Sequence, residues 1–141
     1  MAANRIVIKS GSDARYIEGE AGVAIPPGSA CILTSDGTYD PWNGTSGDQD
    51  ETLIAVEDAL QGAPQTQSIA IGDIVTMFVP KPGDECYIRI EDGQTLAVAA
   101  LVSKNTVNGT HIAATGAEPD FKMLEASSPT GSDDLALARK L

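Results

Sequence analysis

Short apolar runs separated by turn-forming residues make up most of this chain. The clearest runs are residues 53–56, 74–79 and 86–90, which are rich in side chains that fit a pleated sheet. Clusters of Gly, Pro, Asn and Asp separate them, as is typical of all-β domains. The pattern predicts a mainly β fold, a small single-domain antiparallel β-barrel or sandwich with at most one short helix.

Weaker patterns extend the same interpretation to both ends of the chain. Residues 5–9 and 29–34 are predicted as early strands, and residues 121–126 as a late one. Asn108-Gly109 is typical of a hairpin turn, which would join residues 106–107 to residues 110–112. No run reaches the roughly 20 apolar residues that a membrane span needs, so we predict no membrane partner.

The charge is strongly acidic and unevenly distributed. Twenty acidic and nine basic residues give a formal net charge of −11. The chain has no Lys or Arg between Arg15 and Lys81, so this half is predicted to present an acidic face. Such a surface repels phosphate backbones, so nucleic acid is a poor partner. Arg5, Lys9 and Arg15 make the first fifteen residues basic, which suits an arm that reaches an acidic neighbour, although a charged tail on a soluble surface explains the same pattern.

The residues suited to covalent or proton-transfer chemistry form no known catalytic pattern. His111 is the only histidine, and no Gly-x-Ser-x-Gly motif is present. Cys31 and Cys86 lie inside apolar runs, so we expect buried free thiols. With one histidine they cannot complete a structural zinc site. We predict no enzyme activity, no cofactor and no metal site.

Residues 36–51 carry several acidic side chains, among them Asp36, Asp40, Asp48, Asp50 and Glu51. Their oxygen atoms suit calcium, but the spacing of a calcium-binding loop is missing. The same stretch holds the only tryptophan. Exposed aromatic residues at a loop tip often bind a ligand, so Tyr39 and Trp42 are a candidate platform. The alternative is that Trp42 folds back over the edge of the core.

The order of short elements in the middle of the chain resembles the head decoration, or cement, proteins of tailed bacteriophages. The resemblance is carried by an apolar run at 52–56 followed by Glu57-Asp58, by Ala70-Ile71-Gly72-Asp73 before Ile74–Val79, by the turn Pro80-Lys81-Pro82-Gly83, and by residues 86–90 before Glu91-Asp92-Gly93-Gln94 and the apolar residues 96–102. It implies a small β-tulip-like domain that forms a homotrimer on the outer surface of a capsid.

That resemblance implies a division of the chain into an extended N-terminal arm at residues 1–15 and a β domain at residues 16–141. The partners would be the major capsid protein and further copies of this chain. The protein would be made in the host cytoplasm and would reside on the virion. Deletion of residues 1–10 is then expected to leave the fold intact and to abolish attachment. The residues assigned to capsid contact are Arg5, Ile6, Val7, Ile8, Lys9 and Arg15.

The last residues fit two structures. Acidic residues at 133–134 and basic residues at 139–140 suit the dipole of a helix. The alternation in Leu135-Ala136-Leu137-Ala138 has the period of a strand, and members of the resembled family often end in one. We predict a strand.

Two other functional classes compete with the capsid role. A non-catalytic β module that binds carbohydrate or a host surface would use Tyr39 and Trp42. A small hydrolase would use a pair of carboxylates, but with twenty acidic residues some pair always lies close, so the pattern carries little information.

Overall fold

The computed structural model describes residues 5–11, 13–43, 52–57, 67–105, 108–114 and 119–141. Across these ranges the chain forms eleven strands and no helix. The strands are β1 (Val7–Lys9), β2 (Arg15–Glu20), β3 (Cys31–Leu33), β4 (Tyr39–Pro41), β5 (Ile54–Ala55), β6 (Ile74–Val79), β7 (Glu85–Ile90), β8 (Leu101–Lys104), β9 (His111–Ala113), β10 (Phe121–Met123) and β11 (Asp134–Lys140).

The C-terminal half of the chain closes into a five-stranded barrel. Its strands follow the order β7-β11-β10-β8-β9, and β9 returns to β7 through the parallel pair Ile90 and His111. A closed cycle of five strands cannot alternate direction throughout, so one parallel contact is required. Closure leaves no long free edge on these strands. We call these five strands the C-terminal barrel.

The N-terminal half forms a second, looser ring. β2 pairs with β6 over six rungs, from Arg15 opposite Val79 to Glu20 opposite Ile74, and β5 flanks β6 on its other edge. Isolated bridges join the β3–β4 hairpin to both sides of this sheet, Ala30 to Ile54 and Ala21 to Tyr39. We call β2 to β6 the N-terminal ring.

The two halves share hydrophobic packing. One core cluster lies within the ring and includes Cys31 and Met77. The other fills the barrel, yet it also contains Ile54 and Phe78 from ring strands. Successive side chains of a strand point to opposite faces, so Met77 packs into the ring core and Phe78 into the barrel core. Strands β5 and β6 therefore form a seam between the two cores.

The predicted mainly β fold is confirmed. β6 has the predicted bounds, and β7 begins one residue before its predicted start. The C-terminal residues form strand β11, in which buried Ala136 and Ala138 alternate with half-buried leucines. The alternation therefore decided the structure at this end of the chain. Residues 106–107, which were predicted to lead into the hairpin turn, are outside the described ranges.

Much of the predicted arm is built into the domain. Ile6 is fully buried in the barrel core, and its backbone N–H donates to Glu57 Oε2 at 2.9 Å. β1 pairs with β7, and Arg15 begins β2. Burial of an isoleucine side chain contributes about 2 kcal/mol, which is lost if the segment is free. Deletion of residues 1–10 is now expected to destabilise the fold, whereas capsid contact by this segment stays a prediction.

Candidate functional site

The side chains best suited to nucleophilic chemistry are sealed inside the two cores. Cys31 and Cys86 are free thiols with no exposed surface, one in the ring core and one in the barrel core. Burial raises the pKa of each thiol to about 12, because the thiolate loses its hydration. Both cysteines are therefore protonated at neutral pH. The prediction of buried, free cysteines is confirmed.

The only histidine is also buried. His111 Nδ1 lies 3.1 Å from the Arg89 carbonyl oxygen, and its ring packs edge-on to Phe121 with centroids 5.6 Å apart. A carbonyl only accepts, so the Nδ1 proton makes this hydrogen bond. Nε2 has no hydrogen-bond partner among the described residues. Burial lowers the pKa of His111 to about 4, so the ring is neutral at pH 7.

Tyr39 and Trp42 do not stand together on an exposed platform. Tyr39 is half-buried against the ring core, and its ring leaves no room for a side chain at Gly19. Trp42 is half-buried against the barrel core. Its backbone N–H donates to Ala30 O at 2.8 Å, and Lys104 Nζ lies 5.8 Å from its ring centroid. Trp42 thus folds back over the core edge, as in the alternative interpretation, because its apolar ring gains more from burial.

The acidic stretch gives no metal centre that can be described. Among the described residues no three His, Cys, Asp or Glu side chains gather as metal ligands, and Asp48, Asp50 and Glu51 lie outside those ranges. The described residues also include no helix able to span a membrane.

A basic row crosses the outer surface of the barrel. The pairing register places Lys122 opposite Arg139, Leu101 opposite Lys122, and Glu85 opposite both Arg139 and Lys9. Lys122 and Arg139 are exposed, and Arg139 Nη2 reaches Glu85 Oε2 at 3.2 Å. Like charges directly opposite on a sheet repel each other. The row therefore has a surplus of positive charge in an otherwise acidic molecule.

A strained turn adds apolar surface beside this row. Ala99 adopts a positive φ of 72°, which is unfavourable for a residue with a Cβ. The turn is held by hydrogen bonds from Ala99 N–H to Met123 O and from Met123 N–H to Ala100 O, both 2.8 Å. Val98 at its tip is 62% exposed. We call the set Lys9, Val98, Leu101, Lys122 and Arg139 the basic face.

The far end of the N-terminal ring carries the opposite charge. Glu20 pairs with exposed Ile74 at the last rung of β2 and β6, and Glu18 lies two residues before it. Beyond this rung, the segment that follows β2 and the segment that precedes β6 remain paired through the antiparallel Ile25–Ile69 bridge. We call the exposed residues of this end the acidic tip, which comprises Glu18, Glu20, Val23, Ile71, Asp73 and Ile74.

The absence of Lys and Arg from residues 16–80 predicted an acidic face in this half of the chain, and the acidic tip lies there, but sequence reasoning did not find the basic face. Lys122 and Arg139 are far apart in the chain and become neighbours only through the β10–β11 register.

The chain was also compared with known proteins. No protein-family model and no curated protein sequence matches it.

Proposed function

We propose that this protein is a structural virion protein that trimerises and binds the outside of a phage capsid at three-fold or quasi-three-fold junctions. There it stabilises the shell against the pressure of packaged DNA. Its partners are the major capsid protein and further copies of itself, and it acts by occupancy without catalytic turnover. The resemblance in strand and turn order supplies the family, and the distribution of side chains in the fold supports a binding role.

The observation that carries the proposal is the contrast between buried chemistry and exposed binding surface. Both cysteines and the only histidine are fully buried, with pKa values that keep them uncharged at pH 7. No substrate can reach them without unfolding. The surface instead presents an acidic tip and a basic face, each of which includes exposed apolar side chains. Such surfaces suit contacts with proteins.

The stabilising mechanism follows from binding linkage. A ligand that binds the intact lattice and not the separated subunits adds its binding free energy to the work of rupture. A cyclic trimer presents three equivalent contact sites to a three-fold junction. Many copies act on one shell, so a modest contribution from each is sufficient to shift the rupture temperature.

β1 offers a described surface for capsid contact. Ile6 is buried in the barrel core, but Ile8 is 46% exposed, and Arg5 and Lys9 are exposed on either side of it. An exposed apolar side chain between two cations suits an acidic protein surface. We therefore assign Ile8 and Arg5 to the contact, and Ile6 to the fold.

The carbohydrate-binding alternative has less support. It required Tyr39 and Trp42 on one exposed platform, whereas they pack on different cores.

The test is binding of the purified protein to expanded capsids from which the outer proteins have been removed. We expect saturable binding with a fixed number of copies per shell, and loss of DNA at a higher temperature when the sites are filled. Ile8→Asp is expected to abolish binding. Leu33→Asp, a matched change at a side chain that is 52% exposed on β3, is expected to keep it. Identical heating curves with and without the protein would refute the proposal.

A further inference from the structure

Charge is segregated between the two halves of the molecule. The acidic tip contributes Glu18, Glu20 and Asp73, in a stretch of sequence without any Lys or Arg. The basic face contributes Lys122 and Arg139 on adjacent strands, with Lys9 beyond Glu85. Each surface also has exposed apolar side chains. Ile71 and Val98 are the most exposed of these, at 69% and 62%.

The basic face has an internal repulsion that a partner can relieve. Lys122 and Arg139 are direct cross-strand neighbours, and the carboxylate of Glu85 is in contact with only Arg139 of these two. Among the described residues Lys122 has no ion pair. A carboxylate placed between the two cations would turn a destabilising pair into a favourable cluster.

We infer that the acidic tip of one copy of this chain docks on the basic face of a second copy, in a head-to-tail contact. Glu18 and Glu20 then face Lys122 and Arg139 across the contact. The apolar side chains of the tip cover Val98 and Leu101, which the strained turn at Ala99 holds at the surface. The occupant is a second copy because the complementary charge lies on this chain itself.

The charges exclude the simplest symmetric alternatives. A two-fold contact of basic face with basic face brings cations together, and a contact of acidic tip with acidic tip brings carboxylates together. A head-to-tail contact pairs two different surfaces, so it closes into a ring when the rotation allows. This inference deepens the proposed function, on whose self-association it rests, by naming the surfaces that join the copies.

The test reverses charge on one face at a time and measures the molar mass of free protein by light scattering against concentration. The basic-face variant is Lys122→Glu with Arg139→Glu, and the acidic-tip variant is Glu18→Lys with Glu20→Lys. Each is expected to raise the dissociation constant by about tenfold or more, since like charges then meet. The control, Asp36→Lys with Lys81→Glu, reverses two exposed charges outside both faces and outside the proposed capsid contact, and is expected to associate like wild type.

Recombining the reversed faces gives the decisive result. A single chain with all four changes restores opposite charges at every contact and is expected to associate again. A mixture of the two variants restores them only between unlike variants, so one contact of a three-membered ring stays repulsive. The mixture is therefore expected to associate more than either variant alone, mainly as pairs of unlike variants. Rescue of both supports the head-to-tail contact. Association unchanged by the reversals, or no rescue in either case, overturns it.

Two further measurements keep the outcome clear. Wild-type association should weaken as salt is raised, because exposed charges are screened, and a monomer at every concentration in low salt overturns the inference. Thermal unfolding of each variant checks that the exposed substitutions leave the fold intact. Capsid binding is measured separately. Association through other surfaces overturns the head-to-tail contact and leaves the proposed function standing. Rescue of association without capsid binding supports the contact and overturns the proposed function.

Discussion

The N-terminal ring and the C-terminal barrel use the same topology with different degrees of closure. Each has five strands and one parallel contact that closes the cycle, Ala21 with Tyr39 in the ring and Ile90 with His111 in the barrel. The barrel closes mainly through continuous ladders, whereas isolated bridges join the ring at two places. Equal strand number therefore does not imply equal cohesion, since each ladder rung adds backbone hydrogen bonds and packed side-chain pairs.

The cores differ in the same direction. The barrel core contains fully buried Phe78 and Phe121, while the described ring core is built from smaller aliphatic and sulfur-containing side chains. The ring strands β5 and β6 contribute to both cores, because each packs one face on the ring core and the other face on the barrel core. The comparison predicts that the two halves unfold together, and that substitutions at the seam lower the free energy of unfolding most.

The largest effect is expected from Phe78→Ala. The change removes a fully buried ring at the seam and should lower the free energy of unfolding by about 3–5 kcal/mol. Chemical denaturation should show one transition by Trp42 fluorescence, which reports the barrel core, and by thiol exposure of Cys31, which reports the ring core. Thr76→Ala, at a half-buried neighbour on β6, is the matched control with a smaller expected loss. Two separate transitions in wild type would show that the halves are independent.

A pH effect of somewhat smaller size should originate in the barrel. The folded pKa of His111 is about 4 against an ordinary value of 6.5, so the unfolded chain binds its proton first as pH falls. The stability associated with neutral His111 is complete above pH 6.5 and is lost progressively towards pH 4, to a total of about 3 kcal/mol. Nearby Asp120 opposes this shift and Lys104 favours it.

The measurement is chemical denaturation at a series of pH values across that window. His111→Gln keeps a polar side chain beside the Arg89 carbonyl but does not titrate, so its stability should fall less steeply between pH 6.5 and pH 5, where most carboxylates remain ionised. Parallel slopes for variant and wild type would contradict a buried, neutral His111.

How far the sequence predicted this structure depended on burial. β6 was predicted because it packs on both cores and so reads as a continuous apolar run, and β11 because one packed face leaves a period of two. β2 was missed because its burial pattern is mostly exposed, and its strand conformation is determined by six rungs with β6. The basic face could not be predicted, because cross-strand register brings Lys122 beside Arg139. Ile6 was assigned to an arm because three apolar residues between cations do not reveal which one enters a core.

The two cysteines allow a matched comparison of the cores. Serine at either position buries a hydroxyl at a cost of about 1–3 kcal/mol unless it finds an acceptor. Cys31 Sγ already lies 3.6 Å from the Ser29 carbonyl oxygen, which can accept from a serine hydroxyl, whereas Cys86 packs within the apolar barrel core. Cys86→Ser should therefore destabilise more than Cys31→Ser in chemical denaturation.

Thiol labelling gives an independent check on this pair. In single-cysteine variants both native thiols should react slowly and both should react rapidly after denaturation, because neither has exposed surface. Faster native labelling of Cys31 alone would show that the ring opens while the barrel stays closed.

The smallest expected effect on stability concerns backbone strain, which is distributed differently between the described parts of the two halves. In the ring every described residue with positive φ is a glycine, including Gly37 and Gly72, whereas the barrel half places Ala99 and Asn108 at such positions. A Cβ in this conformation costs about 1–2 kcal/mol, and glycine recovers most of it but adds freedom to the unfolded chain. Ala99→Gly should thus stabilise the fold by about 1 kcal/mol or less, seen as a small rise in the thermal midpoint.

Ala97→Gly in the same turn relieves no strain and should lower the midpoint, so the pair separates strain from glycine flexibility. A lower midpoint for Ala99→Gly would show that the positive φ of Ala99 costs little.

The more informative outcome combines two readouts, the thermal midpoint and self-association. If the turn is strained in order to hold Val98 on the basic face, Ala99→Gly should raise the midpoint and weaken self-association together, because a relaxed turn presents Val98 less rigidly. A fold that becomes more stable while its contact weakens would locate the strain at the binding surface.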